Sequence, residues 1–263
     1  MGLEYQLITS KEAVVDAGKL ILDRYHKRDF GIEYKGDRSP VTKVDKEAEQ
    51  KIRNVILGEF PTNSFTGEEF DPVNGSDAFR WYCDPIDGTW CIINGEKTAS
   101  TSLALSEHGK TVLAVVYNPF TDELFAGADG IQTTLNDENI PRFNRDVSTE
   151  AVYNFQISAK RKRDVLELYD LWEQKAIAKL ISRGGSIAYN LAQVAEGSHS
   201  VYITASTKPS DEWDVAGGIY LVKSVGGEVS QMDEGRILVA STNPKIHQKT
   251  LDLLAQTNFG KRD

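Results

Sequence analysis

The sequence predicts a mixed α and β protein built as two halves. Three features point to it: two segments of helical apolar period near the N-terminus, a block of short extended segments after them, and an alternation of helical and extended patterns through the second half. With 263 residues and 40% hydrophobic content, the chain holds enough apolar side chains for a substantial core. That core fits one large domain or two smaller ones around a continuous sheet.

The first helix is expected from the capping-box pattern Thr9-Ser10-Lys11-Glu12, after which Val14, Ala17, Ile21 and Tyr25 recur at helical spacing. A polar segment, Lys35-Gly36-Asp37-Arg38-Ser39-Pro40, intervenes before the period returns through Val44, Ala48, Ile52 and Val55. Gly58 and Pro61 end this second helix. Ser64 to Gly67 and Phe79 to Cys83 have strand character, so Glu68 and Asp84 stand just past two strand ends. Ala99 to Ser106 and Thr111 to Tyr117 flank Glu107-His108-Gly109-Lys110, which suits a hairpin, and a third strand is expected near Glu123 to Ala126. The stretch between Leu135 and Asp146, rich in Asn, Asp and Pro, is the expected boundary between an N-terminal α+β half (1–140) and a C-terminal α/β half (141–263). In the second half Asp164 to Lys175, Ser186 to Ala195, Asp214 to Val225 and Lys245 to Gln256 read as helices. Ala176 to Ser182, Val201 to Ala205 and Arg236 to Ser241 read as strands between them.

Asp and Glu number 39 against 30 Lys and Arg, a net charge of -9. That balance argues against nucleic acid as a partner and means that an anionic substrate needs bridging cations. The two cysteines, Cys83 and Cys91, are too few for a disulfide framework, and no secretory leader pattern opens the sequence, so a reducing, cytoplasmic setting is expected. No apolar run approaches the roughly 18 residues that span a bilayer, and no membrane attachment is expected.

The chemistry concentrates in four acidic sites from separate parts of the chain. They are Asp45, Glu68, the pair in Asp84-Pro85-Ile86-Asp87-Gly88-Thr89, and Asp214 in Trp213-Asp214-Val215-Ala216-Gly217-Gly218. Magnesium takes hard oxygen ligands, and no Cys/His set competes for the role. Two such ions about 3.5–4 Å apart can hold both the attacking water and the leaving oxygen of a phosphoryl transfer. Asp84 is placed to bridge them, and the N–H groups after it can meet an anion at a helix start. Taken singly, the same residues have plainer uses. Asp-Pro and Asp-Gly shape turns, Asp45 suits a solvated helix face, Glu68 or Glu69 a polar loop, and Asp214 a helix first turn that favours acid.

Taken in order, Val41-Thr42-Lys43-Val44-Asp45, Gly67-Glu68-Glu69, Asp84-Pro85-Ile86-Asp87-Gly88-Thr89 and Trp213-Asp214-Val215-Ala216-Gly217 resemble the signatures of the inositol monophosphatase family, over nearly the whole chain. The resemblance implies a layered αβαβα sandwich of the sugar-phosphatase type, a magnesium-dependent and lithium-sensitive phosphomonoesterase site between the halves, and a homodimer. It implies two to three Mg2+ ions: a first on Glu68, Asp84 and the Ile86 carbonyl, a second on Asp84, Asp87 and Asp214, and a third held more weakly near Glu68 through waters. Asp45, Glu68 and Thr89 would orient or deprotonate the attacking water, while Asp87, Gly88 and Thr89 border the substrate phosphate. Direct in-line attack by water is expected, without a Cys or Ser nucleophile.

The segment Arg183-Gly184-Gly185-Ser186-Ile187-Ala188 resembles the family's glycine-containing substrate segment, which makes Gly185 and Ser186 candidate contacts to substrate hydroxyls. It also reads simply as a cap for the helix of Ile187, Leu191 and Val194. The link from Tyr202 to Glu212 is longer than is usual in inositol phosphatases and lacks their glutamate; its Lys-Pro and Glu-Trp-Asp elements look more like relatives that act on 3'-phosphoadenosine 5'-phosphate. Inositol monophosphate is the first expected substrate, with a 3'(2'),5'-bisphosphate nucleotidase as the alternative. From another class comes a regulatory binding protein that keeps the fold. Lys160-Arg161-Lys162-Arg163 and Lys208 offer charge for a second substrate phosphate, or a hydrated helix entrance. His26, His108, His199 and His247 are dispersed and suit surface or packing roles. Trp90 and Cys91 shape a site entrance or pack, and Cys91 has no evident activating partner.

Overall fold

The computed structural model describes residues 2–34, 36, 40–141 and 151–261. Most of the expected polar segment (Lys35, Asp37, Arg38 and Ser39) and residues 142 to 146 of the expected boundary lie outside them.

Helix α1 (Glu4–Lys27) starts earlier than the Thr9-Ser10 pattern predicts. Ser10 Oγ donates to the Gln6 carbonyl at 2.7 Å, the back-bond of a serine inside a helix. Thr9 and Ser10 are buried beside Leu7, Ala13, Val14 and Ala17, so the apolar stripe simply extends upstream. Strands β1 (Ile32–Tyr34) and β2 (Pro40–Thr42) pair antiparallel and lead into α2 (Lys43–Glu59). The capping box stands here instead: the Thr42 side chain accepts the Val44 and Asp45 N–H groups, and the Asp45 carboxylate accepts the Thr42 N–H.

Next come β3 (Ser64–Gly67), β4 (Phe79–Asp87), α3 (Thr89–Ile93), β5 (Ser100–Glu107), β6 (Lys110–Asn118), β7 (Glu123–Ala128), β8 (Ile131–Leu135) and β9 (Glu138–Asn139). Between β5 and β6, His108 and Gly109 both take positive φ (51° and 80°), as a two-residue I′ hairpin turn requires. The rest comprises β10 (Val152–Ile157), α4 (Lys162–Glu173), β11 (Lys179–Ser182), α5 (Ile187–Glu196), β12 (Val201–Ala205), α6 (Glu212–Ser224), β13 (Glu228–Met232), β14 (Ile237–Ser241) and α7 (Pro244–Ala255). The expected strand from Ala176 begins only at Lys179, because α4 ends in a Schellman motif. Lys175 sits at φ 59°, its N–H donates to Trp172 O, and the Ala176 N–H donates to Leu171 O.

The chain divides into two compact units. The first comprises Met1–Asn139 with Gly185–Tyr189 and Glu212–Leu221; the second comprises Ile140–Gly184, Asn190–Asp211 and Val222–Asp263. In the first, the sheet runs β3-β4-β5-β6-β7-β8-β9, parallel only at β3–β4. One face, with Leu103, Leu105, Leu113 and Val115, packs on the apolar stripes of α1 and α2. On the other face lie Ser102, Ala114 and Val116, and the first turns of α6 approach so closely that a Cβ on Gly217 would stand 2.9 Å from Ser102 Oγ.

The second unit holds a sheet of order β11-β10-β12-β14-β13, with β10 parallel to both neighbours and the remaining pairs antiparallel. Its core joins Tyr153, Phe155, Val201, Ile203 and Val239 to Leu168, Leu171, Ile246 and Leu254 of α4 and α7. His26 and His108 are exposed, whereas His199 and His247 are buried. Burial, with nearby Arg183 adding to it, pushes the His199 imidazole down to about 4. The unfolded chain gains this proton near pH 6.5, so stability from the neutral imidazole is intact above about pH 6.5 and is lost as pH falls toward 4. The loss totals on the order of 3 kcal/mol at about 1.36 kcal/mol per unit. His199→Gln is expected to flatten that part of the stability curve, measured as urea midpoints from pH 7 to 4; parallel curves for the two proteins would refute it.

Candidate active site

Strand β4 does not end at Cys83 but continues through Asp87, and its pairing with β5 slips. Asp84 stands opposite Ser102 and Asp87 opposite Ser100, so three steps on β4 meet two on β5, the one-residue excess of a β-bulge. Side chains alternate along a strand, and residues three apart would otherwise point to opposite faces. The bulge returns Asp84 and Asp87 to one face, that of Ser100 and Ser102. Pro85 suits the slip because it has no N–H to leave unpaired, and its carbonyl accepts Thr101 Oγ1 at 2.8 Å. Asp84 Oδ1 accepts the Ile86 N–H at 2.9 Å.

Asp87 is held from a second direction. Its Oδ2 accepts Ser186 Oγ at 2.6 Å and the Ala188 N–H at 2.8 Å, at the start of α5. Ser186 Oγ also lies 2.7 Å from Ser100 Oγ and accepts the Tyr189 N–H, while the Ser186 N–H donates to Thr98 O. Ser186, expected beside the substrate, is fully buried, and these groups position Asp87 and cap a helix. The two turns meet backbone to backbone through glycines. Gly88 has φ 93° and a Cβ there would lie 3.1 Å from Ser186 N; Gly185 has φ 107° and its Cβ would lie 2.7 Å from Thr98 O.

Asp45 is fully buried at the start of α2. Thr42 holds its Oδ2, and Thr89 Oγ1 lies 3.0 Å from its Oδ1 and 3.2 Å from the Ile86 carbonyl. The Thr89 proton thus has two acceptors, one of them a carboxylate. Glu68 follows β3, its N–H bonded to the Cys83 carbonyl, and Asp214 lies in the first turn of α6; both side chains are half-buried.

Burial pushes Asp84 well above the usual carboxylate range, and the charges of Glu68, Asp87, Asp214 and Asp45 add to it in that order. Asp87 is raised by burial and then by Asp214, against the pull of its hydrogen bonds to Ser186 and Ala188. Asp45 is raised by burial, opposed by Thr42 and Thr89. Glu68, Asp87, Asp214 and Asp45 thus all act on Asp84 within the first unit. Among the described residues no group of three or more His, Cys, Asp or Glu side chains is arranged as a ready-made metal cage. Burial pushes the Cys91 thiol up to about 11 and Cys83 well above its usual value, so neither is a thiolate near neutral pH. Trp90 is exposed.

The sequence model of the inositol monophosphatase family matches residues 3–258. The chain belongs to this family. Inositol monophosphatase 3 of Solanum lycopersicum is 32% identical over 256 residues, covering 93% of this chain and 94% of that protein. The fructose-1,6-bisphosphatase/inositol-1-monophosphatase of Aquifex aeolicus is 28% identical over 256 residues, 96% of each. Among solved structures, extragenic suppressor protein suhB from Bartonella henselae matches with a TM-score of 0.85 at 26% identity, over 95% of this chain and 98% of that one. The layered α and β fold expected from the sequence is the fold of these inositol monophosphatase relatives.

In this family member the Gly67-Glu68-Glu69 motif is fastened by two residues that sequence reasoning missed. Glu49 on α2 is fully buried, and its Oε2 accepts the Glu69 N–H at 2.7 Å. Arg53 donates to Glu49 Oε1 and to the Asp71 carbonyl, both at 3.0 Å, and lies over the rings of Phe65 and Phe70. A Cβ at Gly67 would displace the Glu49 carboxylate from these bonds. A signal was present: Asp45, Glu49 and Arg53 recur every four residues alongside the apolar stripe of Ala48, Ile52 and Ile56, which places polar groups on the buried face.

Proposed function

We propose that the protein is a magnesium-dependent phosphatase of small phosphate monoesters, with inositol monophosphate as substrate. The observation that carries this is the β4 bulge, which sets Asp84 and Asp87 on one face with Asp45, Glu68 and Asp214 in electrostatic reach. Buried carboxylates that repel one another fit a compensating cation, and an all-oxygen donor set fits a hard one such as Mg2+. Glu68, Asp84 and the Ile86 carbonyl would hold one ion, and Asp84, Asp87 and Asp214 a second. When bound, Mg2+ supplies the positive charge that acidifies water and stabilises the departing oxygen.

The chain's own groups do the rest. Thr89 directs its proton to Asp45 Oδ1, which turns an oxygen lone pair toward the attacking water. Thr42 keeps Asp45 in place to accept that proton. Glu68 takes up the water's proton, while the N–H groups of Gly88 and Thr89, at the start of α3, orient the phosphate. Ser186 and Ala188 hold Asp87 in register.

Relatives' names support the substrate class: one is an inositol monophosphatase, and another bears both fructose-1,6-bisphosphatase and inositol-1-monophosphatase names. Phosphate release from inositol 1-phosphate, fructose 1,6-bisphosphate and 3'-phosphoadenosine 5'-phosphate, with Mg2+ and with EDTA, tests the proposal. Release that needs Mg2+ and is fastest from inositol 1-phosphate is expected. Turnover in EDTA, or none from any ester, would sink the reaction; preference for a bisphosphate would overturn the substrate. Thr89→Val should lower kcat by about 100-fold or more with little change in KM, since the hydrogen bond that orients the attacking water is lost and not the ligand contacts. Lithium inhibition, a cytoplasmic setting and a homodimer are family expectations, the last open to light scattering. Among the described residues no helix is long and apolar enough to cross a membrane.

A further inference from the structure

A cavity of about 700 Å3 opens within the second unit, lined by six cationic side chains, Lys160, Arg161, Lys162, Arg163, Arg236 and Lys261. Among the described residues two carboxylates, Asp164 and Asp233, share the lining, a marked local excess of positive charge in a chain of net charge -9. Both carboxylates are already engaged. Asp164 Oδ2 accepts Arg161 Nε at 2.5 Å and its Oδ1 the Gly260 N–H at 2.8 Å. Asp233 accepts Arg161 Nη1 at 3.2 Å and Arg236 Nη1 at 3.3 Å.

The network immobilises Arg161. Its Nη1 also donates to the Ser206 carbonyl at 3.0 Å, and its side chain is only 12% exposed. The Nη2 group is left without a partner among the described residues, on a guanidinium that lines the cavity. Lys160 and Lys162 have no acidic partner among the described residues either. A guanidinium fixed on three sides with one edge open, beside flexible ammonium groups, is the donor arrangement that oxyanions such as phosphate bind through charge-assisted hydrogen bonds. The volume lies within the roughly 300–1,000 Å3 range of small-molecule sites, too small for a nucleic acid duplex.

We propose that this cavity binds a phosphoryl group, in a site that shares no residue with the carboxylate cluster of the first unit. The group belongs to a free phosphate compound. Calorimetric titration of the full chain with pyrophosphate in EDTA tests it without any need for catalysis, so its outcome stands apart from the proposed reaction. Saturable binding is expected, weaker by about tenfold or more in the double variant Lys160→Ala, Lys162→Ala, and weaker again as salt rises. Arg161→Gln should also lose binding, but it removes the charge that Asp164 and Asp233 share, so the lysine pair, checked by an unchanged thermal melt, is the deciding variant. No saturable binding by the wild type, or equal affinity in the double variant, overturns the site.

Discussion

Asp84→Asn is expected to lower Mg2+-dependent phosphate release by on the order of 1,000-fold or more, about 4 kcal/mol of transition-state stabilisation. The substitution keeps the side chain's shape and the oxygen that accepts the Ile86 N–H at 2.9 Å, so what it removes is charge. Asp84 is the carboxylate on which Glu68, Asp87, Asp214 and Asp45 all act, and the one proposed to bridge two ions. Two opposite stability effects should separate this role from a structural one. In EDTA, Asp84→Asn removes a buried like charge and should leave the melting temperature unchanged or raised. Mg2+ should raise the melting temperature of the wild type and not of the variant, because a cation that binds only the folded state stabilises it by mass action. A variant that melts lower in EDTA, yet still responds to Mg2+ and turns over, would make Asp84 a loop-shaping residue instead.

The parts of this site that could be read from the sequence are those carried by motifs. Asp45, Glu68, Asp84, Asp87 and Asp214 stand out because their motifs, taken in order, resemble those of the inositol monophosphatase family, and the structure brings them into one unit. The helices of the second half were legible to within two residues, since a one-sided apolar stripe at a period of 3.6 has few alternatives. Pairing was less legible. Pro85 reads as a strand stop, yet β4 passes through it by a bulge that only the register with β5 reveals. The strands β8 and β9 are short, polar and at a sheet edge, so their pattern resembles loop, and β12 runs antiparallel to β14 where alternation alone suggests a parallel sheet. Thr9-Ser10-Lys11-Glu12 and Thr42-Lys43-Val44-Asp45 are equally good local caps; burial of the first inside α1 decides between them, and burial is a tertiary fact. Gly185 and Ser186 suit both a substrate contact and a helix cap, because a glycine-rich segment before a helix serves either; the Ser186 hydroxyl bonds to Asp87 and accepts the Tyr189 N–H.

Glu49→Ala is expected to cost about 3–5 kcal/mol in urea unfolding, the loss typical when one partner of a buried ion pair is removed. Arg53 would remain, 12% exposed in its side chain, over two aromatic rings and with a buried Nε that already lacks a partner. The cost comes from that stranded charge more than from the pair's own strength, because bringing both ions out of water offsets much of their attraction. The double variant Glu49→Leu, Arg53→Leu should therefore lose less stability than either Glu49→Leu or Arg53→Leu alone, a coupling measurable by a double-mutant cycle. Stability alone would not connect the pair to the reaction. Glu49 also accepts the Glu69 N–H, next to the proposed ligand Glu68, so loosening it should raise the Mg2+ concentration for half-maximal phosphate release while leaving KM for the ester nearly unchanged. Glu49→Gln, which keeps an acceptor for that N–H, should recover much of the Mg2+ affinity and little of the stability. A double variant that costs the sum of the two singles, with Mg2+ dependence like the wild type, would reduce Glu49 and Arg53 to independent packing residues.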